Sequence, residues 1–212
     1  MTVWDLYARC YDAIGRLEPY RRLLRDVIAE VPDAPGRVLD AGCGTGNLTR
    51  ALLDARPGTG AVVAVDSSPA MLGRARRKNP AVVHVLGDLT EPAGPFDVIL
   101  CGNVLYALDD PARSVGVLKK ALAPGGRLVV TTPRAGAGTG RILAEHVRAR
   151  GVASLLPVLL PLLVVGVINA RLLRTATYHF LTREQLSGLL GTDDIRPVYA
   201  DQAWLAVVGG GG

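Results

Sequence analysis

Cysteine is scarce in this chain of 212 residues, and its three cysteines lie far apart. Cys10, Cys43 and Cys101 are odd in number and lack metal-ligand spacing, so we expect neither a disulfide framework nor a bound metal. The N-terminus also lacks a basic region followed by an apolar stretch, and no signal peptide is expected. Together these absences favour a reducing, cytoplasmic setting.

Acidic residues are almost missing from one stretch of the chain. Between positions 134 and 174 there are six arginines and a single acid, Glu145, an excess that equals the net charge of +5 of the whole chain. Within this stretch, residues 151–170 carry no charge. A nucleic-acid surface would combine basic residues with aromatic ones. Arginines that flank an apolar run indicate instead a lipid surface or an acidic substrate group, so no nucleic-acid partner is predicted.

Apolar strands alternate with helical segments over most of the chain. Strands are expected at 37–40, 61–66, 82–86, 96–101, 127–132, 195–198 and 203–208. Helices are expected at 47–55, 69–78, 111–122, 141–150 and, after a capping box at 182–185, up to residue 190. Such alternation indicates a parallel sheet covered on both faces. We therefore predict one α/β domain with a Rossmann-like, doubly wound, seven-stranded and mainly parallel sheet, whose last strand is antiparallel.

The clearest motif follows the first strand. Asp40 stands at the strand's end, and Gly42, Gly44 and Gly46 alternate before a helix begins at Asn47. Glycines allow tight turning and leave room for a ligand against the backbone, while the helix start presents free N–H groups. A dinucleotide site would need its third glycine at the position of Asn47, and a Walker loop would need Gly-Lys-Ser/Thr. Neither of those two sites fits the spacing.

This motif resembles the first motif of class I S-adenosylmethionine-dependent methyltransferases. The resemblance covers about residues 7–133 well and the C-terminal strands more loosely. It implies that Asp40 faces the amino group of the cofactor S-adenosylmethionine, directly or through water, in a charge-assisted hydrogen bond. It also implies that the glycine loop carries the methionine portion, through Ala41, Gly42, Cys43, Gly44 and Asn47.

The end of the second strand resembles the family's ribose site. An acid there, Asp66, can accept hydrogen bonds from both ribose hydroxyls, and Ser67 follows it. Met71 resembles the residue that packs on adenine. Ordinary alternatives are a helix N-cap for Asp66, a role that Ser67 or Ser68 could fill instead, and a core position for Met71.

Two later segments extend the resemblance. Gly87, Asp88 and Leu89 follow the third strand and are similar to the motif that reads adenine through an acid and the next backbone N–H. Asn103 comes at the carboxyl end of the fourth strand, where ligands bind in such sheets. Cys101, at the same end, is interpreted as a small buried residue because no basic partner lies near it in sequence.

Two tyrosines near the N-terminus complete the cofactor assignments. Tyr7 and Tyr11 lie one helical turn apart and can face the same way. In quinone-methylating and other small-molecule members of the family, a helix at this place folds over the cofactor and a tyrosine often closes the pocket. The resemblance thus implies a lid that includes Tyr11, with ordinary packing as the alternative.

The reaction implied is an in-line displacement, for which the protein mainly aligns the reactants. No motif names a general base, and the candidates are Tyr106, His146, Tyr178 and His179, of which we assign Tyr106 and His179 as catalytic. The sequence lacks Asn-Pro-Pro-Tyr and Asp-Pro-Pro-Tyr after the fourth strand, which disfavours methylation of nucleic-acid amino groups.

The predicted domain spans residues 1–208 and has four parts. These are N-terminal lid helices (1–31), the cofactor-binding core (36–133), an apolar insertion flanked by arginines (134–177), and a C-terminal helix with strands (178–208); residues 209–212 form a flexible glycine tail. Pro157 and Pro161 are expected to divide the insertion into shorter helices, which argues against a membrane-spanning helix. The insertion is interpreted as a lid over the acceptor, with peripheral membrane contact or packing on the sheet or in a homodimer left open.

The predicted function is methyl transfer from S-adenosylmethionine to oxygen, nitrogen or carbon of a small, hydrophobic acceptor. Three alternatives remain: a nicotinamide oxidoreductase, a non-catalytic cofactor-binding module, and a lipid or quinone methyltransferase that acts at a membrane surface. The glycine spacing argues against the first. The acids Asp40, Asp66 and Asp88 argue against the second, because a site that no longer binds cofactor need not keep them.

Overall fold

The computed structural model describes Ala8 and residues 10–89, 94–175 and 178–209, with only the backbone described at 169–175. Tyr7 of the predicted lid, the side chains of Arg171 and Arg174, and residues 210–212 of the predicted tail lie outside the described part. Gly209, predicted as the first residue of that tail, belongs instead to the last strand of the sheet.

A seven-stranded sheet forms the centre of the molecule. Its strands are β1 Arg37–Ala41, β2 Ala61–Asp66, β3 Val83–Leu86, β4 Phe96–Gly102, β5 Leu122–Pro133, β6 Ile195–Val198 and β7 Ala203–Gly209. Across the sheet the order is β3-β2-β1-β4-β5-β7-β6. Strands β1 to β5 pair in parallel, and β7 runs antiparallel to both β5 and β6. The predicted fold is confirmed, and the order reverses beside β1, which creates a switch point where ligands bind in such sheets.

Helices cover both faces of this sheet. They are α1 Glu18–Ala29, α2 Asn47–Ala55, α3 Pro69–Lys78, α4 Pro111–Lys120, α5 Thr139–Arg150, α6 Leu156–Thr175 and α7 Arg183–Leu190. Successive residues of a strand point to opposite faces, so Val38 packs in a core with α1, α2 and α3, whereas Leu39 packs in a second core with α4 and α7. Each face of the sheet therefore has its own apolar core.

Local sequence sets the start of three of these helices. The side-chain oxygens of Ser68, Asp110 and Thr182 each accept a backbone N–H in the first turn, and Pro69 and Pro111 occupy the first helical positions of α3 and α4. The predicted capping box at Thr182 is present with both of its hydrogen bonds.

The fifth strand differs from its predicted extent. It begins at Leu122 instead of 127, and α4 ends correspondingly earlier, at Lys120. The pairing with β4 shifts between the pairs Phe96–Leu122 and Val98–Arg127. The Pro-Gly-Gly segment at 124–126 is thus a bulge within the strand, where the sequence alone suggested a turn before it.

The prediction that prolines divide the insertion into short helices is wrong. A 3₁₀ turn, Val152–Leu155, leads into α6, one helix of 20 residues that contains Pro161. Pro157 is the second residue of α6, where no intrahelical N–H is needed. Pro161 cannot donate to the carbonyl oxygen of Pro157, and the Arg16 guanidinium donates to that oxygen instead (Nη1 to O, 3.5 Å). Among the described residues, none of the helices has the length and apolarity needed to span a bilayer.

Candidate active site

A cavity of ≈ 1000 Å³ opens at the carboxyl ends of the central strands. All but two of the residues predicted for the site lie in its wall: Tyr11, Asp40, Gly42, Cys43, Gly44, Asn47, Asp66, Ser67, Met71, Gly87, Asp88, Leu89, Asn103 and Tyr106. They come from the loops that follow β1, β2, β3 and β4 and from the N-terminal segment. The structure thus gathers residues from far apart in sequence at one edge of the sheet.

The two predicted residues outside the cavity wall are Ala41 and His179. Ala41 is fully buried in β1, where it packs in the core beneath α4 and α7. His179 donates its backbone N–H to the carbonyl oxygen of Tyr106 (2.8 Å). Its ring atom Nε2 is buried and has no hydrogen-bond partner among the described residues. His179 therefore adjoins the cavity without lining it, whereas Tyr178 beside it does line it.

His146, another candidate base, has a structural place. It is buried, and its Nδ1 accepts the backbone N–H of Glu18 (3.1 Å). Its Nε2 lies 3.0 Å from the hydroxyl oxygen of Ser154. These contacts join α1, α5 and the 3₁₀ turn before α6, and His146 is not in the cavity wall.

The glycine loop follows β1 with a positive φ at all three of its glycines, Gly42, Gly44 and Gly46. Gly42 has a φ of 74°, and a Cβ there would lie 2.4 Å from Cγ2 of Val104, so the loop after β4 packs directly on its backbone. Gly44 has a φ of 55°, but no atom lies within 4 Å of where its Cβ would be. Gly42 therefore gives the loop its close packing, and Gly44 leaves open space beside the backbone.

Asp66 connects the loops after β1 and β2. Its Oδ2 accepts the backbone N–H of Gly44 (2.8 Å), and its Oδ1 accepts that of Ser68 (2.9 Å). Burial raises the pKa of Asp66, although these two hydrogen bonds oppose the shift. The N-cap of α3 is Ser68, whose hydroxyl accepts the N–H of Met71, so the alternative that Asp66 caps this helix is wrong.

Asp40 places a buried carboxyl group at the end of β1. The hydroxyl of Thr49 donates to its Oδ2. Burial raises the pKa of Asp40 to about 6; the hydrogen bond from Thr49 opposes this shift, and the charge of Asp66 adds to it. Burial makes the ionisation of a carboxyl group costly, and a cation that binds beside the group lowers that cost. This end of the cavity is therefore suited to a positively charged group.

Sequence reasoning missed a polar cluster around Asp12. The Asp12 carboxylate accepts hydrogen bonds from Thr45 (2.6 Å), Lys78 (2.9 Å) and Arg74 (3.1 Å). Lys78 also contacts Oδ1 of Asn47. Burial alone would raise the pKa of Asp12, but hydrogen bonds from Thr45 and Lys78 outweigh it and lower the pKa. The cluster fastens the N-terminal segment to the glycine loop and α3.

Helix α6 covers the Met71 side of the cavity. Met71 is buried in a small apolar cluster with Ala8 and with Val165 and Ile168 of α6, and Tyr11 packs at its margin. Of the described side chains of α6, none lies in the cavity wall. The helix therefore supports the wall from behind.

Aromatic rings form another part of the cavity. Tyr106, in the 3₁₀ turn Leu105–Ala107, stacks on Tyr178 with ring centroids 5.5 Å apart, and Phe180 stacks on Tyr106 at 5.9 Å. Burial raises the pKa of both tyrosines. Helix α1 adds mostly apolar residues to the wall, namely Tyr20, Leu23, Leu24 and Val27. Their helical spacing was visible in the sequence, but not the direction in which they face.

Two residues at the end of β4 differ in their exposure to the cavity. Asn103 has a φ of 54° and donates its backbone N–H to the carbonyl oxygen of Thr131 (2.8 Å) at the cavity edge. Cys101 is fully buried, as predicted, and burial raises the pKa of its thiol to about 12. This thiol therefore stays protonated near neutral pH and is not an activated nucleophile.

Comparison with known proteins identifies related sequences. A family model described as a methyltransferase domain matches residues 15–190. The trans-aconitate 2-methyltransferase of Methylobacterium nodulans is 42% identical over 136 residues, which cover 63% of this chain and 51% of that protein. The demethylmenaquinone methyltransferase of Thermus thermophilus is 37% identical over 131 residues, 57% of this chain and 59% of that protein. This chain thus spans about half the length of the curated relatives that it matches.

A solved structure shares the fold. The N-methyltransferase NodS from Bradyrhizobium japonicum, in complex with S-adenosyl-L-homocysteine, superposes with a TM-score of 0.59 at 19% identity. The superposition covers 90% of this chain and 87% of NodS.

Proposed function

We propose that this chain, which belongs to the class I S-adenosylmethionine-dependent methyltransferase family, transfers the methyl group of S-adenosylmethionine to a small, hydrophobic acceptor in the cytoplasm. One observation carries the proposal: Asp40, Asp66 and the open backbone at Gly44 meet in a single cavity at the switch point of the sheet.

The methionine portion of the cofactor would lie along the glycine loop. The space beside Gly44 can hold a ligand against the backbone. Asn47 lies in the cavity wall, where its side-chain amide can donate to the carboxylate of that portion. Asp40 would bind the ammonium group, which lowers the cost of ionising its buried carboxyl.

The nucleoside portion would lie towards β2 and β3. A carboxylate has about four acceptor sites, so Asp66 can accept ribose hydroxyls while it keeps its bonds to Gly44 and Ser68. Asp88 is exposed at the cavity and would accept from the amino group of adenine. The buried side chains of Met71 and Leu89 would pack against the ring.

The aromatic part of the cavity fits the acceptor. When bound, S-adenosylmethionine supplies an activated methyl group, and the protein orients the acceptor for in-line attack. Because burial raises the pKa of Tyr106, its phenol is protonated at neutral pH and would orient the acceptor through a hydrogen bond. We assign His179, whose N–H binds the carbonyl oxygen of Tyr106, the task of holding Tyr106 in place.

Cofactor binding is the direct test of this proposal. S-adenosylmethionine should raise the Tm of the protein, while NAD and NADP should leave it unchanged. Asp66→Ala should weaken cofactor affinity in calorimetry about tenfold or more, because the ribose hydroxyls lose their acceptor. Asp54→Ala is the matched control, since Asp54 is exposed and lies outside the cavity wall. Unchanged affinity in Asp66→Ala would contradict this site.

The alternative of a non-catalytic module has its own test. The protein with S-adenosylmethionine is incubated with a panel of small apolar alcohols, amines and carbon acids, and S-adenosylhomocysteine is measured. Acceptor-dependent formation of S-adenosylhomocysteine supports the enzyme. Tight cofactor binding without turnover on any member of the panel favours the module.

A further inference from the structure

The outward face of α6 is an apolar surface without a partner in the described structure. Five side chains form it, hereafter the apolar stripe: Leu156, Leu159, Leu160, Leu163 and Val167. They are 51 to 75% exposed, and each lies three or four residues from another member, so they lie along one side of the helix. Contiguous exposed apolar surface of this kind marks an interaction site.

The opposite face of α6 fixes the direction of the stripe. Val158, Val165 and Ile168 are buried, and the last two pack against Met71 and Ala8. The helix is therefore docked on the domain along one side, and the stripe points away from it.

The sequence around the stripe carries charge of one sign, although Arg150 is paired with Glu18 of α1 (2.9 Å). From position 146 to 183 the chain has no aspartate or glutamate, but it has arginines at 148, 150, 171, 174 and 183. Arg148 is exposed at the end of α5, four residues before the turn that leads into α6. Arg16 is exposed as well and contacts the carbonyl oxygen of Pro157 in the first turn of α6. Basic side chains therefore border the stripe at its start.

We infer that the apolar stripe of α6 binds the interface of an anionic lipid bilayer. The helix would lie in the plane of the surface, with its leucines at the acyl boundary and arginines at the lipid phosphates. A second copy of the chain fits less well. Two stripes packed around a two-fold axis would bring basic ends together, and residues 146–183 supply no acid to compensate them.

Docking would also bring the cavity near the lipid. The chain that leaves α6 reaches the aromatic part of the cavity at Tyr178, three residues after the helix ends at Thr175. An acceptor dissolved in the bilayer would then have a short path to the site. This consequence rests on the proposed methyl transfer, whereas the binding to lipid does not.

Vesicle flotation tests the inference on the full chain. Vesicles are made of phosphatidylcholine alone or of equal parts of phosphatidylcholine and phosphatidylglycerol. The protein should float with the mixed vesicles, about tenfold or more above neutral ones, and salt should reduce the binding. Absence of flotation with mixed vesicles, or equal flotation with both kinds, would overturn the inference.

Paired variants locate the surface. The double variant Leu160→Ser/Leu163→Ser should reduce binding to mixed vesicles about tenfold or more, with little change in Tm, because both side chains are exposed. Val83→Ser/Leu86→Ser removes two exposed apolar side chains from the edge strand β3 and should leave flotation unchanged. Equal flotation of the two variants would also overturn the inference.

Sedimentation without lipid tests whether a second copy of the chain covers the apolar stripe. A concentration-dependent dimer that Leu160→Ser/Leu163→Ser abolishes would identify the stripe as a contact between copies and overturn the bilayer assignment. The Tm increase with S-adenosylmethionine is measured on the same variants. If that increase persists while flotation fails, the lipid inference is wrong and the proposed function stands.

Discussion

The glycine-loop edge of the sheet and helix α6 differ in how they expose their side chains. At the loop edge, Asp40 is buried and Asp66 is half-buried, and both accept hydrogen bonds from neighbours. On α6, large apolar side chains such as Leu156 and Leu160 face solvent instead. Both arrangements are unfavourable for an isolated folded chain. On the two proposals above, each region is shaped for a ligand outside the chain: the loop edge for a cation and hydroxyls, and α6 for an apolar phase.

The largest expected effect tests how tightly the loop edge is packed. Gly42→Ala should lower the free energy of unfolding by about 2–4 kcal/mol, because the new Cβ would clash with Val104 and because alanine would have to adopt a positive φ. The matched control on the insertion side is Gly136→Ala, with a φ of 77° and no atom within 4 Å of the new Cβ, which should cost about 1 kcal/mol. Urea unfolding measures both, and equal losses would contradict the tight packing inferred for Gly42.

The second prediction tests whether the buried acid is kept for binding. Asp40→Asn should weaken S-adenosylmethionine binding about 10- to 100-fold in calorimetry. The substitution should not lower the Tm at neutral pH, because it removes a carboxylate that is costly to keep ionised in a buried position.

The pH dependence of Asp40→Asn follows from the raised pKa. In the wild type, folded Asp40 takes up a proton near pH 6, whereas the unfolded group does so near 3.8, so this group stabilises the fold as pH falls through that window. Between these two pH values, the Tm of the wild type and of Asp54→Asn should rise as the pH falls, whereas the Tm of Asp40→Asn should not show this rise. The same slope in all three proteins would place the titrating group elsewhere.

The third prediction compares the two faces of α6. Val165→Ala should cost about 1–2 kcal/mol, since Val165 is buried against the Met71 cluster. Leu160→Ala should stay within about 0.5 kcal/mol, because Leu160 is exposed. Urea unfolding without lipid measures both. A loss at Leu160 as large as that at Val165 would mean that the stripe is covered by protein in solution.

The smallest expected effect concerns the Asp12 cluster. Asp12→Asn should cost about 0.5–1 kcal/mol at neutral pH, because the carboxylate loses its ionic partners Lys78 and Arg74. Since the pKa of folded Asp12 is lowered, this stabilisation is present above 3.8 and should disappear as pH falls further through the lowered value. Urea unfolding of both proteins across this range measures the difference, and a difference that grows as pH falls would contradict the assignment.

The loop edge could be predicted from sequence because its geometry is local. The acids at Asp40 and Asp66 end adjacent strands, and parallel strands bring their carboxyl ends to one edge. The Asp12 cluster could not be predicted from the sequence, because the partners of Asp12 lie 33 to 66 residues away along the chain. Nothing in a local pattern pairs Asp12 with Thr45 or Lys78.

The insertion shows how tertiary contacts override a local rule. Pro161 normally breaks a helix because it lacks an N–H. Here Arg16, which is far from α6 in sequence, donates to the carbonyl oxygen of Pro157, which Pro161 cannot bind. Helix α6 continues through this position. The sequence also indicated an apolar helix without indicating which face turns outward, since nearly every position from 155 to 168 is apolar.

The strand order has a consequence for how the chain is made. Strand β7 is synthesised after β6, yet it lies between β5 and β6 and is the neighbour that links β6 to the sheet. During synthesis, β6 therefore has no paired edge to join until β7 has left the ribosome, and both must dock together as a hairpin. A chain that stops before residue 203 would lose two strands from its sheet instead of one.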